Sequence, residues 1–264
     1  MRRILIVFGT RPEAIKLVPL IFELRSRQNV RLYLCSAGQH REMLREVLEN
    51  FSVDVDFDLD VMTADQTPLD VCRGIFLGLP KVLRSVAPDL LIVQGDTATA
   101  CAAALEAHSR GIAVCHVEAG LRTHNIYSPY PEELNRLAIS AIASIHCAPT
   151  EGARENLLSE GISADDVYLT GNTVIDTMRL TLKKDFTHPV LDWASGYKLL
   201  ILTVHRRENI GEPMEKIFAA VKELVRRYPE IKIFYPVHPN PRVASAARCL
   251  CGEEGILMGL PTNV

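Results

Sequence analysis

ILIVFGTRPEAIKLVPLI, residues 4–21, reads as a buried strand, a turn with one glycine, and a helix that begins near Pro12. The unbroken apolar run ILIVF suits a strand covered on both faces, and proline suits the first turn of a helix. Amides exposed at such a helix start attract anions, and Arg11 adds a planar cation suited to phosphate. An ordinary capped helix would read the same way. The turn carries neither the GxGxxG of dinucleotide binding nor the GK[ST] of a phosphate loop.

The same alternation continues along the chain. VRLYLCS (30–36), LLIV (90–93), AVCHV (113–117), IHCAP (145–149) and VYLT (167–170) are further strands, with amphipathic stretches of helical length between most of them. Continuous apolar strands separated by helices predict a parallel sheet covered on both faces, and right-handed crossovers make it a doubly wound α/β domain. Ligands of such sheets sit in the loops at the carboxyl ends of strands. The polar segments GTRPE, AGQH, QGDTAT and HVEAGLRT all fall there. Residues 1–183 are read as this first Rossmann-like domain and 184–197 as a linker holding Pro189, Gly196 and the single Trp193. The pattern restarts at 198–264, with strands KLLILTV, IKIFYPV and ILMG and a helix over 212–229. This second segment is short for a doubly wound domain and reads as a partial one, with an exposed apolar edge expected.

Composition narrows the class. The chain has 264 residues, 48% hydrophobic, and a net charge of −3, which argues against a general nucleic-acid or membrane-surface binder. Any anionic ligand must be held by a few local cations. No apolar run reaches the roughly 18 residues of a membrane span. RRILIVFGTRPE lacks the longer core and cleavage site of a secretion signal, so the protein is expected in the cytoplasm. Seven cysteines, without a CxxC pair, read as buried apolar thiols in a reducing compartment.

The polar loops carry the chemistry. QGDTAT puts Asp96 at a strand end, with Thr97 or Thr99 able to cap the next helix. HVEAGLRT supplies Glu118; its HxE resembles half of a zinc-deaminase motif, but the PCxxC half is missing and no metal is expected. In SPYPEELNR, Pro131 suits the first helical position, with Glu132 and Glu133 in the first turn. Successive helical residues point about 100° apart, so only one of the two glutamates can face a shared cleft. TVHRRENIGEP places His205 and Arg206 after the first strand of the second segment, and YPVHPNP places His238 after its second. Solvated loops, caps and turns explain each of these singly. Jointly, Asp96, Glu118 and Glu132 beside Arg11, His205 and Arg206 suit a nucleotide-linked substrate whose other end undergoes proton transfer.

In order, GTRPEAIK, QHREM, QGDTAT, HVEAGLRT, SPYPEELNR, TGNTVID, HRREN and YPVHPNP resemble the UDP-N-acetylglucosamine 2-epimerase family. The resemblance implies two Rossmann-like domains of the glycosyltransferase-B type with the active site between them. It implies interconversion of UDP-N-acetylglucosamine and UDP-N-acetylmannosamine through 2-acetamidoglucal, with no cofactor, and a homodimer. By resemblance, Asp96, Glu118, Glu132 and His205 are catalytic positions. Asp96 and Glu132 would transfer protons and Glu118 would stabilise the sugar cation. Arg11, Lys16 and Arg206 would bind substrate phosphate together with His205. Gln39, Glu42, Arg73 and His238, with Arg206, match an effector region for UDP-N-acetylglucosamine. Val204 departs from the glycine common before the histidine, and the sequence ends at GLPTNV, before the family's DSGG segment, so weak binding is the rival expectation. A glycosyltransferase of the same architecture is the other; the three acids do not require its acceptor pocket.

Overall fold

The computed structural model describes all residues except 39–40, 64–65, 184, 206–208, 239 and 260–264, and, for 41–43, the backbone only. Gln39 and Arg206 therefore lie outside the described residues, as does the side chain of Glu42. The chain divides into two compact units, Met1–Leu182 and Lys183–Val264.

The first unit alternates strand and helix. Its elements are β1 (Arg2–Phe8), α1 (Arg11–Ser26), β2 (Val30–Ser36), α2 (Arg41–Asn50), β3 (Phe57–Asp58), α3 (Pro68–Val86), β4 (Leu90–Gln94), α4 (Ala98–His108), β5 (Ala113–Val117), α5 (Glu132–Ile142), β6 (Ile145–Ala148), α6 (Glu151–Ser159), β7 (Val167–Leu169) and α7 (Val174–Thr181). The strands form one parallel sheet in the order β3-β2-β1-β4-β5-β6-β7. The order reverses between β1 and β4, so the loops after these two strands open away from each other and leave a crevice.

Both faces of the central strands are dry because β1, β4 and β5 carry unbroken apolar runs, ILIVF, LLIV and AVC. Leu5, Val7, Leu91, Val93 and Val114 pack against α3 and α4 on one side. Ile4, Ile6, Phe8, Leu34 and Ile92 pack against α1 and α2 on the other. Each fully buried side chain of this size contributes about 1.5–3 kcal/mol. Helix α4 buries Ala100, Ala102, Ala103, Ala104 and Ala107, small residues that let it lie close against both α3 and α5.

Local chemistry sets the helix starts. Glu13, in the first turn of α1, reaches back to accept hydrogen bonds from the amides of Gly9 (3.1 Å) and Thr10 (2.7 Å). Thr97, not Thr99, caps α4, accepting from the Ala100 amide at 3.0 Å. Pro131 precedes α5 and is not its first helical residue; it follows a cis peptide bond, as does Pro129. The two-residue strand β3 carries no apolar run and went unanticipated.

The second unit contains α8 (Pro189–Trp193), β8 (Lys198–Ile201), α9 (Glu212–Arg227), β9 (Ile231–Pro236), α10 (Pro241–Ala247) and β10 (Ile256–Gly259), with a parallel sheet ordered β10-β9-β8. Strand β8 stops at Ile201, three residues before the expected end at Val204. Phe218 of α9 packs on Tyr235 of β9, whose hydroxyl donates to the Val204 carbonyl at 2.9 Å. Leu200 and Ile201 of β8 remain exposed. The stretch read as a linker is folded: Lys232 of β9 sits over the rings of Trp193 (4.7 Å) and Tyr197 (3.9 Å) and donates to the Trp193 carbonyl.

The thiols are distributed unevenly. Cys35, Cys101 and Cys115 are buried, Cys72 and Cys147 half-buried, and Cys249 and Cys251 exposed. Burial pushes the Cys35 thiol up to about 12 and that of Cys101 up to about 11. Among the described residues, no helix is long and apolar enough to cross a membrane.

Gly120, just past β5, has φ +84°, and a Cβ there would stand 2.1 Å from the Ala153 carbonyl oxygen of α6. Gly120→Ala is expected to lose about 2–4 kcal/mol of stability, from positive φ and backbone collision together. Urea unfolding of the variant beside the parent protein measures it.

Candidate active site

A cavity of about 550 Å³ opens at the β1/β4 crevice. The loop after β1 and helix α1 bring Thr10, Pro12, Glu13 and Lys16 to it. The loop after β4 brings Gln94, Gly95, Asp96 and Thr97, the loop after β5 brings Glu118, and α5 brings Glu132, Asn135 and Arg136. All four groups lie in the first unit, at the carboxyl ends of its strands.

Glu118 is held hardest. Its backbone has φ +66°, a left-handed conformation that costs a non-glycine residue about 1 kcal/mol or more. Its carboxylate accepts from Lys16 Nζ (2.5 Å), Gln94 Nε2 (2.5 Å) and Asn172 Nδ2 (2.8 Å). These donors come from α1, β4 and the loop after β7, so the carboxylate is fixed from three directions.

Asp96 is half-buried and ion-paired with Arg136 of α5. Burial pushes its carboxyl above the ordinary range; the Arg136 guanidinium pulls it down, and the nearby charges of Glu132 and Glu118 push it up again. Its own carbonyl accepts from Asn135 Nδ2 at 2.8 Å. Beneath the loop, His116 is fully buried with Nε2 2.7 Å from the Gly95 carbonyl oxygen.

The adjacent glutamates of α5 divide as helical geometry requires. Glu132 lines the cavity, and its Oε2 is buried without a hydrogen-bond partner among the described residues. Glu133 is 1% exposed and points into the protein. It accepts from the amides of Thr123 (2.9 Å) and His124 (3.1 Å) and from Arg136 (3.1 Å). Burial raises its carboxyl, but these donors outweigh burial and hold it below the ordinary range. Glu13 is likewise 1% exposed, raised by burial, and accepts from the Thr97 hydroxyl at 2.8 Å, joining the loops after β1 and β4.

The structure thus brings together Asp96, Glu118, Glu132 and Lys16. Arg11 does not join them: it is exposed at the first residue of α1, and the residues on either side of it line the cavity instead. His205 and His238 belong to the second unit, where their rings stack 5.1 Å apart at the ends of the strand segments. Arg73 is exposed on α3. Among the described residues, no three His, Cys, Asp or Glu side chains are placed to hold a metal ion. Gln94, Asn135, Arg136 and Asn172 were not anticipated. Arg136 was legible in principle, since it lies four residues after Glu132 on one helix face.

A doubly wound sheet with polar loops gathered at its switch point, followed by a second parallel α/β unit, defines an α/β protein of the two-domain glycosyltransferase-B type. The model of the UDP-N-acetylglucosamine 2-epimerase family matches residues 22–258, and the chain belongs to that family. It is 46% identical over 252 residues to the UDP-N-acetylglucosamine 2-epimerase of Bacillus subtilis, covering 96% of this chain and 66% of that protein. It is similar to the S. aureus MnaA–UDP co-structure, with TM-score 0.90, 39% identity, and coverage of 100% of this chain and 70% of that one. The UDP-GlcNAc 2-epimerase of Neisseria meningitidis bound to UDP-GlcNAc gives TM-score 0.88 at 40% identity, covering 98% and 72%. Acinetobacter baumannii MurG, at 12% identity and TM-score 0.54, shares the fold alone.

Burial lowers the His116 imidazole to about 4. In the unfolded chain a histidine protonates near 6.5, so below that pH the unfolded state binds the extra proton and the folded state does not. Stability should therefore be intact above pH 6.5 and fall as pH drops toward 4. The full effect is about 3 kcal/mol. Denaturant unfolding at pH 7 and pH 5 is expected to show this slope, and His116→Gln should flatten it.

Proposed function

We propose that the protein interconverts UDP-N-acetylglucosamine and UDP-N-acetylmannosamine by elimination and re-addition of UDP. The observation that carries this reading is three carboxylates, Asp96, Glu118 and Glu132, converging with Lys16 on one cavity, where Glu132 presents a buried oxygen with no partner among the described residues. The names of the relatives support the substrate class.

The C2 proton of the sugar is not beside a carbonyl, so its removal needs the C1–O bond to break first or concurrently. Loss of UDP then leaves a cationic sugar, and removal of the C2 proton gives 2-acetamidoglucal. Protonation from the other face and re-addition of UDP invert C2. Such a sequence wants two proton-transfer groups on opposite faces. Asp96 and Glu132 take those roles here. Glu118, held in place by three donors, is suited to stabilise the sugar cation. Lys16, His205 and Arg206 are assigned to the leaving phosphate, where each well-placed donor supplies about 3 kcal/mol. Arg11 remains a candidate for the same work from the edge of the site. Gln39, Glu42, Arg73 and His238 are assigned to an effector region for the same sugar nucleotide. A cytoplasmic homodimer completes the reading.

In deuterated water, the product is expected to carry solvent deuterium at C2, read by proton NMR. Retention of the original hydrogen would overturn the elimination route, and failure to interconvert the two sugars would overturn the reading itself. Asp96→Asn and Glu132→Gln should each lower turnover by about 10²–10⁴-fold.

A further inference from the structure

We propose that Arg136 is a positioning residue for this reaction, fixing the Asp96 carboxylate at the cavity wall as the charged, proton-accepting member of the acid trio. The inference rests on the proton-transfer role given to Asp96 above.

The geometry is a relay anchored in the protein interior. Glu133 is buried and immobilised by the amides of Thr123 and His124. It binds one terminal nitrogen of Arg136 at 3.1 Å, and the other terminal nitrogen of the same guanidinium meets Asp96 Oδ2. Arg136 is itself only 15% exposed. Asn135 holds the Asp96 backbone from the same helix. One turn of α5 thus fixes both the main chain and the side chain of Asp96 while Glu132, on that turn, faces the cavity. A planar fork with two occupied ends does this; an ammonium on a flexible stem cannot hold both partners in one plane.

The charges around Asp96 make the arginine necessary. Glu118 and Glu132 face it from β5 and α5 and disfavour its anion, as does its own burial. Lys16, on α1, is engaged with Glu118. Glu13 lies behind Thr97, and His116 beneath Gly95 stays neutral across the working range. Arg136 is the cation in contact with the Asp96 carboxylate. Without it, Lys16 is the cation left among the described residues lining the cavity beside three acids, and Asp96 holds its proton to higher pH.

Two variants and two readouts test this. Arg136→Gln is expected to lower kcat/KM at pH 7 by about ten- to a hundredfold and to move the acid limb of the kcat/KM profile to higher pH. Carboxyl carbon NMR should show Asp96 titrating at higher pH in the same variant. Arg136→Lys should keep the acid limb in place while still losing rate, because charge is retained and the fork is not. An acid limb and an Asp96 titration both unchanged in Arg136→Gln would overturn the proposal, as would full kcat in Arg136→Lys. If Arg136→Gln does not fold, Arg136→Lys decides on kcat alone. If the protein proves inactive on UDP-sugars, the functional reading falls, and the Asp96 titration still decides whether Arg136 governs its charge.

Discussion

Three hydrogen-bond donors from three separate segments converge on the carboxylate of Glu118, and the site depends on that convergence. Lys16, Gln94 and Asn172 are 102, 24 and 54 residues away along the chain. None of them can reach Glu118 unless α1, β4 and the loop after β7 are all in their native places. The same bonds hold Glu118 in its left-handed backbone conformation, whose cost of about 1 kcal/mol or more is small beside three charge-assisted bonds of about 1.5–3 kcal/mol each. The strain therefore persists, and it aims the carboxylate inward.

The carboxylates of the first unit sort by what satisfies them. Glu13 and Glu133 are buried and surrounded by amides and a hydroxyl or guanidinium, and they join loops. Replacing Glu13 by an apolar residue would strand the two buried amides of Gly9 and Thr10, each costing about 1–3 kcal/mol. Asp96 and Glu132 are only partly satisfied, and that incompleteness is what leaves them available to a ligand. Adjacent residues in sequence, Glu132 and Glu133, fall into opposite groups because one helical step of about 100° turns one to the cavity and the other to the interior.

Much of this was legible in the residues. Parallel strands declare themselves by unbroken apolar runs, and the loop acids follow from the rule that such sheets bind ligands at their carboxyl ends. The grip of Glu13 on Thr97 across the crevice is a tertiary contact that no local pattern encodes. Strand β3 escaped because two residues paired at an edge need no apolar run. Strand β8 ends at Ile201, although the Leu202 amide still donates to the Phe234 carbonyl at 2.9 Å. Arg11 reads in sequence as a planar cation at an anion-attracting helix start; it is exposed at the first residue of α1, and its neighbours Thr10 and Pro12 line the cavity. Gln94 and Asn172 matter only through their distance from Glu118 in space, which sequence spacing hides.

The uneven placement of the thiols separates the two units chemically. Only a thiolate attacks an alkylating reagent, and burial keeps Cys35 and Cys101 protonated at neutral pH. The exposed thiols, Cys249 and Cys251, both belong to the second unit, whereas the cavity lined by Asp96, Glu118 and Glu132 belongs to the first. A maleimide dye therefore finds two exposed thiols in the second unit without any engineered cysteine. The motion of the second unit could then be followed by fluorescence in a protein whose acids are untouched.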